Sequence, residues 1–158
     1  MNLQRKHIDR QAGFSLIELM IVIAIIGLLI SVGTIGFKTA VRRGNETAAI
    51  QTLDNIRKYQ ADYAIGHRGE YANFDELIKE GGMDKNFAGE KPNVNGYVFT
   101  MKVIPKGPNQ PAFYSVNADP QSADGIGATG KRFFYIDPVV GNIKSNDQGP
   151  ATPEDPSM

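Results

Sequence analysis

The chain predicts an α+β fold: one long N-terminal helix with a hydrophobic and an amphipathic half, a short second helix, and a small antiparallel sheet packed on the first. Three observations predict it. An uncharged run from Leu19 to Phe37 follows a basic leader. Apolar residues of helical period continue beyond that run to about Gly66. The period then drops to two in several short segments rich in aromatic and β-branched residues.

The first element starts from a conflict. The run from Leu19 to Phe37 is long enough to cross the ~30 Å hydrocarbon core of a bilayer. Yet Glu18 stands at its front. A carboxylate at the centre of a membrane helix costs roughly 2.5–3.5 kcal/mol. Nearer the end it costs less, but it still asks for a partner. A cut between Gly13 and Phe14 creates an α-amino group four residues from Glu18, on the same helical face. The other reading is an ordinary signal anchor with an acid in its first turn, where the helix dipole favours negative charge. Physics alone leaves both open. An ordinary secretory signal fits less well. Ser31-Val32-Gly33 is a small-x-small site, but the run exceeds the usual h-region of about 7–15 residues, and Glu18 is out of place in it. Flanking charges do not set orientation, because Arg5, Lys6 and Arg10 are matched by Lys38, Arg42 and Arg43.

The residues Gly13-Phe14-Ser15-Leu16-Ile17-Glu18-Leu19-Met20-Ile21-Val22-Ile23-Ala24-Ile25-Ile26-Gly27 resemble the class III signal of type IV prepilins and pseudopilins. The resemblance implies a type IV pilin-like fold and removal of residues 1–13 by a prepilin peptidase. It further implies N-methylation of Phe14, and pairing of Glu18 with the N-terminal amine of a neighbouring subunit during filament assembly. It implies a homo-oligomeric helical filament whose other partners are an assembly platform and minor pilins. The precursor is expected to cross the inner membrane once before export into an extracellular pilus, or a periplasmic pseudopilus if the chain is a type II secretion pseudopilin. A membrane-anchored binding domain that never polymerises is a third reading. Two positions depart from the family's usual pattern: Ser15 in place of threonine, and Ile35 in place of a helix-breaking proline.

Bulk properties fit one globular domain with an appendage, at 158 residues. Formal charge is zero. Removing residues 1–13 takes away Arg5, Lys6 and Arg10 against Asp9, a net +2, and leaves −2. That balance, without any legible motif, gives no reason to expect nucleic-acid binding. Cysteine is absent, so no disulfide can staple the fold.

The boundaries expected along the chain are a leader at 1–13, a membrane or filament-core helix at 14–37, its amphipathic continuation at 38–66, a head at 67–145 and a flexible tail at 146–158. From Ser15 to Ile65 a continuous helix spans about 75 Å. Gly33 and Gly36 flank Ile35 and weaken the helix by about 1 kcal/mol each relative to alanine, which marks either a stretched segment or a kink or close-packing point. Ala49, Leu53, Ile56 and Tyr63, with Ile50 and Ala64 alongside, make a core-facing stripe. Gly66 and Gly69 close the helix. Asn73 caps a short second helix with Glu76 three residues on. Strands follow at Tyr97–Ile104, Phe113–Ala118 and Arg132–Asp137, and Gly141-Asn142-Ile143 is a candidate fourth, together an antiparallel meander. The polar, proline-bearing end reads as flexible.

Candidate chemistry is sparse. Gly125-Ile126-Gly127-Ala128-Thr129-Gly130-Lys131 satisfies a GxGxxG pattern and most of a phosphate-binding loop. Both motifs need a following helix, whereas Arg132-Phe133-Phe134-Tyr135 reads as a strand, and Arg132 occupies the hydroxyl position. A glycine-rich loop between strands is the expectation. Asp119, Asp124 and Asp137 are weak calcium candidates, since oxygen-rich turns can supply the six to eight ligands calcium takes; solvated turn residues explain them more simply. No other cofactor is expected. With only His67 left after cleavage and no cysteine, a His-paired thiol and a histidine metal cage are excluded, and no enzymatic activity is expected. The scattered aromatics are expected to pack the core.

Overall fold

The structure, a computed structural model, describes residues 13–125 and 127–158; for 32–35 the side chains lie outside that description. The leader before Gly13, and the question posed by Gly33 and Ile35, therefore fall outside it. The chain divides into two units, Met1–Lys38 and Thr39–Met158.

In the first unit, the described residues are the opening of helix α1 (Leu16–Gly66). Leucine, isoleucine, methionine and alanine favour this geometry, and no charge interrupts it after Glu18 until Lys38. Its side chains have no core to enter. Leu16, Leu19, Ile23, Leu28, Leu29 and Ile30 are each 60% exposed or more. One polar group is handled locally: the Ser31 hydroxyl donates to the Gly27 carbonyl at 2.9 Å. This is the one stretch among the described residues long and apolar enough to cross a membrane.

The second unit has a core built as the stripe predicts. Ala49, Leu53 and Ile56 of α1 are buried against Phe99, Tyr114, Val116, Phe134 and Ile136. Gln60, not Tyr63, completes the buried face. Its amide donates to the Ala72 carbonyl at 2.6 Å and accepts from the Ala72 N–H at 2.9 Å, so a buried polar side chain pairs with backbone as a strand would. Helix α1 ends where Arg68 and Gly69 take positive φ and the Gly69 N–H reaches the Ala64 carbonyl. The second helix, α2 (Phe74–Lys79), has the full capping box: Asn73 accepts from the Glu76 N–H, and Glu76 accepts from the Asn73 N–H. Phe74 and Leu77 are its buried face.

The sheet is a five-stranded antiparallel meander in chain order: β1 (Asn93–Val94), β2 (Tyr97–Ile104), β3 (Phe113–Pro120), β4 (Phe133–Ile136) and β5 (Lys144–Asn146). Register aligns Phe99 with Ala118 and Ala118 with Phe134, a large–small–large row on the core face. Two expectations need correction. The last strand lies at 144–146, after Gly141-Asn142-Ile143, because Ile143 is spent on the core instead. A short first strand was also missed, formed by the tight Asn95-Gly96 turn with both residues at positive φ.

The tail at 146–158 is the largest correction. It folds back as a strap: the Ser145 N–H donates to the Pro156 carbonyl, the Met158 N–H donates to the Ile143 carbonyl, and Lys144 bridges Ser157. Ala151 is 3% exposed, and its carbonyl accepts from Asn117. Asp155 ties the strap's own turn, accepting from the Thr152 N–H and hydroxyl and from Asn146. Hydrogen bonds rather than apolar periodicity hold this segment, so its polar composition gave no sign of order.

The Thr152 N–H, then the Thr152 hydroxyl, hold the Asp155 carboxyl below the usual carboxylate range. A depressed value means that the tie is fully present above the unfolded pKa of about 3.9 and fades as pH falls through the folded one. Amide exchange at Ser145 and Met158, corrected for intrinsic rate, should therefore accelerate below about pH 4. In Asp155→Ala it should be accelerated already at neutral pH. Unchanged protection in that variant would show that the strap does not depend on this carboxylate.

Candidate functional site

The candidate processing and assembly segment is Gly13 to Glu18. Gly13, Phe14 and Ser15 are non-helical, and helix α1 begins at Leu16. Gly13 has no heavy atom near the place a Cβ would occupy, and Phe14 is 91% exposed. The bond between them therefore lies in a non-helical stretch that no described residue obstructs. Glu18 sits in the first helical turn, and its carboxylate accepts from the Ser15 N–H at 2.8 Å. The Leu19 N–H donates to the Ser15 carbonyl at 3.2 Å. Ser15-Leu16-Ile17-Glu18 is thus an S-x-x-E helix start in which the acid satisfies an otherwise orphaned N–H. The spacing of Ser15 and Glu18 is the sequence signal of this helix start. In the single chain the carboxylate answers to the helix end, four residues from Phe14.

The other singled-out residues do not converge on a site. Asp137 is buried, and its oxygens accept from the Tyr135 hydroxyl at 2.9 Å and from the N–H groups of Val139 and Val140 at 2.7 Å each. It shapes a turn. Burial raises the pKa of Asp119, whose Oδ1 has no partner among the described residues, and Asp124 is exposed. Among the described residues no group of three or more His, Cys, Asp or Glu side chains could hold a metal. His67 stacks on Tyr63 with ring centroids 3.7 Å apart, and its Nδ1 lies 3.0 Å from the Tyr63 carbonyl. Tyr114 is buried against Tyr71, and burial pushes its hydroxyl up to about 12, so it stays neutral.

The glycine-rich stretch has a structural explanation. Three residues on one turn of α1 hold it. Arg42 donates to the carbonyls of Gly125 at 2.7 Å and Ala128 at 3.1 Å, and Asn45 donates to the Thr129 carbonyl at 2.8 Å. Glu46, 8% exposed, accepts from the Lys131 N–H at 3.0 Å and from the Arg132 guanidinium at 2.9 Å. Gly125 supplies a positive φ, and Gly130 leaves room for Tyr97, whose hydroxyl lies 2.1 Å from where a Cβ would be. The pattern that imitates a phosphate loop is a ring-packing site.

An apolar first unit entered through an S-x-x-E start, followed by a helix-backed meander, defines the class: an α+β protein of type IV pilin architecture. Residues 8–34 match the family model described as the prokaryotic N-terminal methylation motif. Over 69 residues the sequence is 39% identical to the type IV wide pilus major component PilA4 of Thermus thermophilus, covering 44% of this chain and 53% of that protein. The chain thus spans about half the length of this curated relative. No solved structure matches. The N-terminal motif and this partial relative are what the chain is similar to.

Gly130→Ala should destabilise the head by about 1–3 kcal/mol, because the new methyl has to displace a fully buried ring. The measurement is the urea midpoint of the detergent-solubilised chain at constant m-value. Tyr97→Phe removes the nearest atom but also the hydroxyl's hydrogen bond to the Arg132 carbonyl, so the comparison is a double-mutant cycle. Gly130→Ala should cost less in the Tyr97→Phe background than in the wild type, and equal costs would place the strain elsewhere.

Proposed function

We propose that this chain is a structural subunit of a type IV pilus: a precursor cleaved after Gly13, N-methylated at Phe14 and polymerised through its N-terminal helix. The role is structural rather than enzymatic. The observation that carries the reading is the juxtaposition at the start of α1. An acid in the first helical turn stands four residues from Phe14, whose bond to Gly13 no described residue covers, and the apolar side chains that follow are exposed.

The chemistry runs in two states. Before assembly, residues 14–37 hold the precursor in the inner membrane, with a prepilin peptidase acting at Gly13. Cleavage releases an amine, and methylation keeps it basic. In the filament the same apolar surface packs against neighbouring copies. Lipid and helix are about equally apolar, so the exchange gains little hydrophobic energy. Shape and the Glu18–amine attraction then decide register. A carboxylate that accepts a backbone N–H in the single chain keeps lone pairs for the neighbour's amine.

Mass spectrometry of the N-terminus of protein isolated from cells tests the processing. The expected mature chain starts at Phe14 and carries one methyl group on its amine. A chain starting beyond Gly33 would instead mark an ordinary secreted protein, and one retaining residues 1–13 at every stage would mark a membrane-anchored domain. Processed protein confined to the periplasm and needed for secretion would move it to the type II pseudopilins.

A further inference from the structure

We propose that a cationic cleft at the start of the head binds the phosphate of an anionic phospholipid while the precursor is held in the membrane. The cleft, about 270 Å³, is lined chiefly by Arg42, Arg43, Lys131, Arg132, Glu46 and Asp147. Four cations face two carboxylates, a local excess of two positive charges.

The partners of each group decide what is left for a ligand. Arg132 is committed to Glu46 at 2.9 Å, and Glu46 also takes the Lys131 N–H. These two form a fixed, internally neutral floor. Arg42 is oriented by the carbonyls of Gly125 and Ala128, which hold its guanidinium without cancelling its charge. Arg43 is exposed and forms no ion pair among the described residues. Lys131 lies 3.5 Å from Asp147, with side chains 71% and 56% exposed, a solvated pair that exchanges readily for a better anion. Arg42, Arg43 and Lys131 therefore offer positive charge on an open wall. Guanidinium groups match phosphate oxygens in a fork that a carboxylate-poor site leaves vacant.

Position in the chain selects the source of that phosphate. Arg42 and Arg43 follow Phe37, the last residue of the uncharged run, by five and six residues. The headgroup layer outside the hydrocarbon core is roughly 5–8 Å deep on each side. Five or six residues of chain keep these two cations within reach of that layer, where each adds about fivefold to attraction for an anionic surface. This inference rests on the reading of residues 14–37 as a membrane segment.

The test uses the full chain in nanodiscs mixing phosphatidylglycerol with phosphatidylcholine, with retained lipids counted by native mass spectrometry. Phosphatidylglycerol should be enriched on the wild-type chain. In the double variant Arg43→Glu, Lys131→Glu that enrichment should fall by on the order of tenfold or more, with insertion retained. Arg43→Gln, which removes charge from an exposed side chain without reversing it, should give an intermediate loss and guards against a folding artefact. Equal retention of the two lipids, or an unaffected double variant, overturns the site. Tight binding of inorganic phosphate to the detergent-solubilised chain, undiminished when phosphatidylglycerol is offered, would assign the cleft to free phosphate and overturn the lipid assignment. Failure of the wild type to insert into the mixed bilayer would refute the membrane reading itself, a result distinct from insertion without lipid preference.

Discussion

An uncharged helical surface that no described residue covers is the constraint on which the rest of this molecule depends. From Leu16 to Ile30 the large apolar side chains are 48–77% exposed. Left in water, such a surface costs about 25 cal/mol for every Å². Lipid or other copies of the same helix are the two environments that relieve it, and they are close in apolar character. Small polar terms can therefore govern which one is occupied. Glu18 is the one formal charge in that stretch of the described chain. Its carboxylate already closes the helix start by accepting from the Ser15 N–H.

The head has a different problem, which is to hold a meander without cysteine. Its solution is polar and local. One turn of α1 carries Arg42, Asn45 and Glu46, which fasten the loop between β3 and β4 by its backbone groups and by Arg132. About four turns further on, Gln60 ties α1 to Ala72 through two buried hydrogen bonds. At the other end the strap beyond β5 is fixed by Asn117, Asn146 and Asp155. Each tie satisfies groups that are costly to leave unpaired once buried. Their geometry supplies specificity where no covalent crosslink is available.

What the sequence disclosed follows from this division. Elements held by apolar periodicity or by a short local motif were legible: the stripe Ala49, Leu53 and Ile56, the alternation in β2 and β3, and the capping box at Asn73 and Glu76. Elements held by hydrogen bonds between separate segments were not. Gln60 lies on the buried face at helical spacing from Ile56, yet its residue type hides that role. The strap reads as disordered because its only buried apolar residue is Ala151. Two signals were present and unused, the Asn95-Gly96 turn behind β1 and the Ser15-to-Glu18 spacing. Of the candidate site, Gly13, Phe14 and Glu18 could be singled out from local sequence alone; the structure adds the hydrogen bond that the Glu18 carboxylate accepts from the Ser15 N–H. The calcium candidates were not resolved that way, since Asp137 shows its turn only once Val139 and Val140 fold back onto it.

The central claim is that the Glu18 carboxylate, satisfied by its own helix end in the single chain, meets an amine of another copy once the apolar surfaces pack together. A near-atomic electron cryomicroscopy structure of fibres sheared from cells tests it most directly. The account predicts a Phe14 nitrogen of one subunit within hydrogen-bonding distance, about 3 Å, of a Glu18 oxygen. It also predicts residues 14–37 buried among their counterparts. Fibres in which Glu18 contacts only its own Ser15 N–H, with the neighbouring amine in solvent, would contradict it.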